Sequence, residues 1–301
     1  MKHAFALFAF LAAATPVLAA SFEEAAALYE DKDYKSARQI AETLAAAGDA
    51  RAMAMLGAIY QGGRGVPADP NKAAAWYRKA AEKGHTAAQF ALASMYLNGS
   101  LGPADPETGE LWLRKAAEAG HVEAQATMGL MASGAFGKAA DWPAAIAWFR
   151  KAAERGNAEG QYNLGLLYLE GHGVEKNQID AAKWFAKAAS QGHTDAALDY
   201  GVLVFRGEGV EKDEKIGAQW MLVAARRGNV VAQNRVARLY AFGRGVAADP
   251  IEALKWNLLA ARGGRPDAEL DTLLAKLNPE QKAEAEARAA AFKLQAEKTG
   301  G

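Results

Sequence analysis

Apolar and polar positions along the chain repeat with a period of 36 residues. One column of the repeat is tryptophan, a second is glycine and a third is an Ala-Ala pair. Six of the seven tryptophans belong to the first column: Trp76, Trp112, Trp148, Trp184, Trp220 and Trp256. A fixed period of this length is typical of a solenoid, in which stacked supersecondary units bury a continuous core. The units run without insertion over residues 49–264.

Each unit is predicted to contain two helices, here called helix A and helix B. In the first unit, Ala52, Leu56 and Ile59 give helix A one apolar face. Gly57 lies on the same face, where a missing side chain allows close contact with another helix. The glycine-rich loop 62–66 then ends helix A, because glycine adopts positive φ angles without steric cost.

Helix B is bounded by recognisable start and stop residues. In the first unit Asp69-Pro70 supplies an N-cap carboxylate and a proline at the first helical position, and Gly84 follows the last turn. The N-cap column contains only good capping residues: Asp69, Asp105, Asp141, Asn177, Asp213 and Asp249. The pattern therefore predicts a helix-turn-helix unit repeated six times.

The tryptophan column is predicted to lie in the core. Each indole would fill the gap between stacked units, while the alanines keep the helices close. Replacing such a buried indole by alanine is expected to cost about 3–5 kcal/mol. A row of indoles that stack on a ligand is the alternative interpretation.

Both ends of the repeat array are predicted to carry helical caps, as solenoids require. Residues 21–48 read as a degenerate helical hairpin with a turn at 31–33. Residues 265–301 read as a short helix over 266–277, a second helix over about 279–298 that forms a polar lid, and a disordered tail. The fold class is thus all-α: an α/α superhelical solenoid of six repeats with N- and C-terminal helical caps.

The first twenty residues predict a cleaved signal peptide. Lys2 supplies a basic start, residues 4–14 form an apolar run, and small residues precede a cleavage point after Ala19 or Ala20. The run is shorter than the roughly 20 residues that span a bilayer, so we expect export rather than a membrane span. The protein is therefore expected to be periplasmic or secreted.

Composition and motifs indicate no chemistry. Acidic and basic residues balance at 35 each, which gives no reason to expect nucleic acid as a partner. Cysteine is absent, which excludes disulfides, thiolate metal ligands and a thiol nucleophile. No nucleophile elbow, zinc motif or phosphate loop occurs in the sequence. We therefore expect a non-enzyme with no cofactor and no catalytic residue.

Three histidines share a column with other helix-capping residues, at the position after the helix B glycine: Asp49, His85, His121, Asn157, His193 and Asn229. This mixture is typical of an N-cap, whose side chain accepts a hydrogen bond from free amide groups. Successive members lie one repeat apart, roughly 10 Å by the usual helix packing distance. That separation is too large for a shared metal ion, so no metal site is expected.

The complete unit resembles the Sel-1-like repeat, a relative of the tetratricopeptide repeat. The first unit matches it through Ala52, Leu56, Gly57, Tyr60, Gly63, Gly65, Val66, Asp69, Ala73, Trp76, Ala80, Ala81 and Gly84. The second and third units depart from the pattern. Leu101 replaces a loop glycine, Ala132 replaces the tyrosine, and Ala135 and Lys138 disturb the third loop. We therefore expect altered A–B loops in these two units.

The resemblance implies an adaptor. Exported members of this family bind other proteins in the periplasm or outside the cell, some as regulators of envelope signalling or in envelope assembly. A cysteine-rich subgroup is linked to penicillin, and the missing cysteines set this chain apart from it. The expected function is a monomeric scaffold for a protein or peptide partner. The alternatives are an enzyme acting on peptidoglycan or β-lactams and a secreted protein acting on a host.

By analogy with the tetratricopeptide repeat, the partner is expected in a concave groove lined by helix A. The columns that flank the Leu-Gly pair vary from unit to unit, whereas the packing columns repeat. Aromatic and arginine side chains dominate interface energetics, and these columns supply several. The candidate groove residues are Phe90, Asn98, Tyr162, Glu170, Phe205, Arg206, Asn234, Arg238 and Phe242.

Overall fold

The computed structural model describes residues 21–137 and 139–292, and no β-strand occurs in these two ranges. The predicted signal peptide at 1–20, Lys138 and residues 293–301, which include the end of the predicted last helix and the predicted tail, lie outside the described residues. The helices are α1 (Phe22–Glu30), α2 (Tyr34–Ala46), α3 (Ala50–Gly62), α4 (Pro70–Glu82), α5 (Thr86–Leu97), α6 (Pro106–Glu118), α7 (Val122–Ala132), α8 (Trp142–Glu154), α9 (Ala158–Glu170), α10 (Gln178–Ser190), α11 (Thr194–Arg206), α12 (Glu214–Arg226), α13 (Val230–Phe242), α14 (Pro250–Arg262), α15 (Ala268–Leu274) and α16 (Pro279–Ala291).

The chain divides into two compact units, the first ending at Ala116 and the second beginning at Ala117. In the first unit α3 packs on α4 and α4 on α5, and in the second α9 packs on α10 and α10 on α11. Sequential helices thus lie side by side in each unit. The predicted all-α solenoid of helix-turn-helix repeats is confirmed.

Both N-cap columns lie where the sequence predicts. Asp69 begins α4 and accepts a hydrogen bond from the backbone N–H of Lys72 at 3.0 Å. His85 begins α5, and its Nδ1 accepts from the backbone N–H of Ala88 at 3.2 Å. The column's other two histidines accept in the same way. These rings therefore cap helices, as expected.

Buried glutamines, which the repeat pattern did not predict, join one repeat to the next. Gln89 in α5 donates from Nε2 to the carbonyl of Ala81 at the end of α4, at 3.1 Å. The last carbonyls of a helix lack partners within it, so this bond satisfies a group that would otherwise be buried and unpaired. The same bond recurs in three other repeats, and the four glutamines are Gln89, Gln125, Gln161 and Gln233.

The A–B loops are regular except in the second and third repeats, as predicted. In the first repeat Gly63 and Gly65 have φ angles of 63° and 67°. In the second repeat Gly99 keeps the first positive φ angle, at 72°, while the second shifts by one residue to Gly102, at 126°. In the third a non-glycine residue, Phe136, takes φ 61°. A short 3-10 turn at residues 135–137 accompanies that change.

Helix A and helix B of one repeat meet where a small residue faces a large one. A Cβ added to Gly57 would lie 2.5 Å from the ring of Tyr77, and one added to Gly165 would lie 2.6 Å from the ring of Phe185. Both distances are shorter than any tolerable contact, so only glycine fits. The predicted role of Gly57 in close helix contact is confirmed.

The prediction that the tryptophan column fills the core is fully met only by the last member, and Trp76, Trp112, Trp184 and Trp220 pack against core clusters from their edge. Only Trp256 is fully buried, at 2% exposure, and the other five indoles are half-buried. The fully buried position is the next residue along helix B, as at Phe149 and Phe185. In four repeats a lysine ammonium lies 4.0–4.3 Å from the centre of the indole ring, which a half-exposed position allows.

Helices also precede and follow the repeats. Before them, α1 and α2 pack together, and Arg51 of α3 pairs with Glu23 of α1 at 3.0 Å. After them, α16 packs on α14, with Phe292 edge-on to Trp256 at 5.3 Å between ring centres. The described part of this last helix ends at Ala291, before the predicted end near 298.

We expect Phe185→Ala to lower the free energy of unfolding by about 3–5 kcal/mol, because the ring is completely buried against Gly165. Trp184→Ala is the matched control and is expected to cost less, since its indole is only half-buried. Urea unfolding of both variants measures the difference. If Trp184→Ala loses as much free energy of unfolding as Phe185→Ala, or more, the tryptophan column contributes to the core as the sequence predicted.

Candidate functional site

Eight of the nine candidate groove residues lie on four A helices, and the ninth follows one of them. Two of the nine, Phe90 on α5 and Asn98 just after it, belong to the unit that ends at Ala116 and are described apart from the rest. Phe90 is half-buried. Asn98 accepts hydrogen bonds from the backbone N–H and the hydroxyl of Ser100, at 2.9 and 2.5 Å. Its side chain therefore organises the altered loop of the second repeat.

Tyr162 on α9 is tied into a cluster of polar groups. Its hydroxyl donates to Asp199 at 3.2 Å, and its ring stacks on the imidazole of His193 with ring centres 4.4 Å apart. His193 in turn lies 3.2 Å from Glu159 through Nε2. Burial raises the pKa of Asp199, and the hydrogen bond from His193 lowers the pKa of Glu159. Tyr162 thus braces α9 against α11.

Glu170 ends α9 and is exposed, with its carboxylate 3.4 Å from Nε2 of His172.

Asn234 and Arg238 on α13 both bind Asp267, the N-cap of α15. Asn234 donates to the carboxylate at 2.8 Å, and Arg238 donates through Nε and a terminal nitrogen at 2.8 and 2.9 Å. Arg238 also reaches Glu269 at 2.9 Å. Burial alone would raise the pKa of Asp267, but these hydrogen bonds outweigh it and lower the pKa to about 2. The two candidates therefore hold α15 in place.

A cavity of about 420 Å³ lies between α11, α12 and α13. We call it the basic cavity, because five of its nine lining residues are cations and none is acidic: Val202, Phe205, Arg206, Lys212, Met221, Arg235, Arg238, Leu239 and Arg244. Three candidates, Phe205, Arg206 and Arg238, belong to it. The guanidinium of Arg244 covers the Phe205 ring at 4.8 Å from its centre.

Lys212, Arg235 and Arg244 were missed by the sequence analysis. Lys212 and Arg244 lie in loops, whereas the candidates were taken from columns of helix A. Arg235 follows Asn234 on α13, in a column that was not assigned to the groove. A signal was nevertheless available, because basic residues recur at 235, 238 and 244.

Phe242, the last residue of α13, is 53% exposed. It lines a shallower depression of about 360 Å³ with Glu269, Thr272, Leu273 and Lys276. Leu273 is itself 37% exposed. We call Phe242 and Leu273 the apolar patch. Two exposed large apolar side chains side by side are more typical of a contact surface than of an idle one.

Within residues 21–137 and 139–292, neither a metal cluster nor a membrane span occurs. No group of three or more His, Asp or Glu side chains is placed to hold a metal ion. None of the described helices is both long and apolar enough to cross a membrane.

The fold and the repeated caps define a helical repeat protein. The Sel1 repeat model matches this chain six times, at residues 50–85, 86–121, 122–157, 158–193, 194–229 and 230–264. The chain belongs to the Sel1 repeat family, whose members are generally protein-interaction scaffolds. No curated protein matches the sequence significantly.

Several solved structures resemble the described fold, among them two Sel1 repeat structures. One is a protective antigen of uropathogenic Escherichia coli with an SLR fold, at TM-score 0.79 and 28% identity over 90% of this chain. The match spans only 61% of that protein's length. The other is a Sel1 repeat protein from Oxalobacter formigenes, at TM-score 0.72 and 33% identity. It covers 81% of this chain and all of the other.

We expect Asp267→Asn to lower the free energy of unfolding at pH 7 by about 2 kcal/mol, since one pKa unit corresponds to about 1.4 kcal/mol. The folded pKa is about 2 against an ordinary 3.8, so ionised Asp267 stabilises the fold above about pH 4. That contribution is lost as the pH falls through about 2. Asp267→Asn removes this part of the acid dependence.

Chemical unfolding at pH 7, 4 and 2 measures the effect. Glu269→Gln is the matched control, because Glu269 contacts the same arginine but is 70% exposed and should change stability little. Equal losses in the two variants would contradict a special role for Asp267.

Proposed function

We propose that this protein is a non-catalytic, exported scaffold that binds a protein or peptide partner through the second unit, beside α11 and α13. It acts as a monomer in the periplasm or outside the cell and regulates envelope signalling or assembly. Family membership supports a scaffold role. We choose this surface because it contains both the basic cavity and the apolar patch. Together they offer cations and exposed apolar side chains, the groups that contribute most to protein interfaces.

The remaining candidates contribute less to this surface. Asn234 and Arg238 are engaged with Asp267, and Tyr162 with Asp199. Their polar groups would have to leave existing partners before contacting a ligand. Arg206 is held only by a contact with the carboxylate of Glu208 at 3.5 Å on an exposed surface, so it is free to exchange partners. Phe205, Arg206 and Phe242 are therefore the candidates that we retain as direct contacts.

We expect a photo-crosslinking amino acid placed at Phe242 in living cells to form a discrete adduct with the partner. Leu111 on α6 is the matched control, because it too is a large apolar residue with 53% exposure. Crosslinking at the control should give no discrete adduct. Equal adducts at both positions, or none at Phe242, would contradict the proposed surface.

The proposed export is tested by the mature N-terminus. We expect protein recovered from the periplasm or the medium to begin at Ala20 or Ser21, the residues that follow the two predicted cleavage points. N-terminal sequencing of the fractionated protein measures this. Recovery of the chain from the cytoplasm with residues 1–20 intact would refute export.

A further inference from the structure

Four of the five cations that line the basic cavity have an acidic partner outside the lining. Arg206 lies 3.5 Å from Glu208, and both Lys212 and Arg244 contact Glu214, at 3.2 and 2.7 Å. Arg238 is bound to Asp267. None of these acidic residues lines the cavity. They hold the cationic side chains in place, and the cavity wall itself carries only positively charged groups.

Arg235 has no such partner. Within the part of the chain that the structure describes, it makes no hydrogen bond or ion pair, and its Nε is buried without an acceptor. Burial, followed by the charge of Arg206, lowers the pKa of Arg235, and Asp199 offsets this only in part. The Nε is closed off from the cavity, so a ligand would meet the terminal nitrogens of the guanidinium. An anion there would place a counter-charge beside a half-buried cation.

The other half of the lining is apolar. Val202, Phe205, Met221 and Leu239 contribute side chains to the same cavity. Its volume of about 420 Å³ falls within the usual range for ligand sites, roughly 300–1,000 Å³. An inorganic anion would leave these apolar side chains unused. The lining fits a carboxylate that is attached to, or adjacent to, an apolar group.

The position of Phe242 indicates how a longer ligand would continue. Phe242 follows Arg238 by four residues on α13, so the two residues lie on the same face of that helix. A peptide that leaves the cavity along α13 therefore meets the apolar patch. Neither a free anion nor an isolated carboxylic acid would use both features.

We propose that the basic cavity binds an acidic side chain of a partner peptide, with its carboxylate on Arg235 and Arg206 and a neighbouring apolar side chain on Phe205. This inference rests on the proposed function and names the chemistry of the partner segment. The bond between guanidinium and carboxylate is charge-assisted and forms in a partly desolvated site, where it is stronger than at a free surface.

The test is a fluorescence anisotropy titration with two fluorescein-labelled nonapeptide pools. Both pools are random except at the centre, which is Leu-Glu-Asp in one and Leu-Gln-Asn in the other. We expect the acidic pool to bind about tenfold more tightly, as one charge-assisted bond would give. Arg235→Gln should remove most of this preference, and Arg206→Gln should remove part of it.

Lys187→Gln is the matched control. It also removes one positive charge, but from an exposed position on α10 that does not line the cavity, where the ammonium covers the ring of Trp184. This variant should keep the preference for the acidic pool. Circular dichroism melting confirms that each variant is folded, and Arg235→Gln should melt no lower than the wild type because the arginine has no partner to lose.

Three results would overturn the inference. The first is equal binding of the two pools, and the second is equal losses in Arg235→Gln and Lys187→Gln. The third comes from two added measurements: inorganic phosphate displaces the acidic pool, and a third pool with Ala-Glu-Asp at its centre binds as tightly as the Leu-Glu-Asp pool. The last result would identify a free-anion site.

If Phe242 crosslinks a partner but the acidic preference is absent, the proposed function stands and this inference fails. If the preference depends on Arg235 but Phe242 gives no adduct, the cavity assignment stands and the wider partner surface fails.

Discussion

The close approach of helix A to helix B within each repeat is the contact on which the rest of the structure depends. At Gly57 and Gly165 a single added carbon would overlap an aromatic ring, and at Gly201 it would lie 2.9 Å from a backbone oxygen of the facing helix. Where the small residue is alanine, as at Ala93 and Ala237, the residues in the ring position are smaller, Leu113 and Asn257. A larger residue on helix A is thus matched by a smaller one on helix B. The distance between the two helices is therefore kept although both residues change from repeat to repeat. With that separation maintained, the caps and the buried glutamines can recur at the same place in successive repeats.

Because these packing contacts hold the helices together, the residues in the other columns of the repeat can differ from one repeat to the next. In the second unit, α11 and α13 carry Phe205, Arg206, Arg235 and Phe242 without disturbing the contacts that stack the helices. The chain following the last repeat also contributes, because Asp267 fixes Arg238 and α15 brings Leu273 beside Phe242. The candidate surface is thus built partly from the repeats and partly from the segment that ends them.

The repeat architecture was predictable because it depends on local rules. Asp69 as an N-cap, Gly63 at positive φ and Gly57 at a helix contact each follow from residue type and position. The tryptophan error has a physical cause. Trp184 and Phe185 are adjacent apolar residues on one broad helical stripe, and periodicity alone does not tell which points inward. The roles of Asn234 and Arg238 were not predictable, because their partner Asp267 lies outside the repeat pattern. The role of Arg235 was not predictable either, because a sequence does not show whether a side chain will find a hydrogen-bond acceptor in the fold.

The central claim is that the second unit binds its partner through an acidic residue in the basic cavity. A crystal structure of the protein with its crosslinked partner segment tests it most directly. We expect a partner carboxylate within hydrogen-bond distance of Arg235 and an apolar partner side chain against the ring of Phe205. A partner bound elsewhere, with Arg235 still lacking an acceptor, would contradict it.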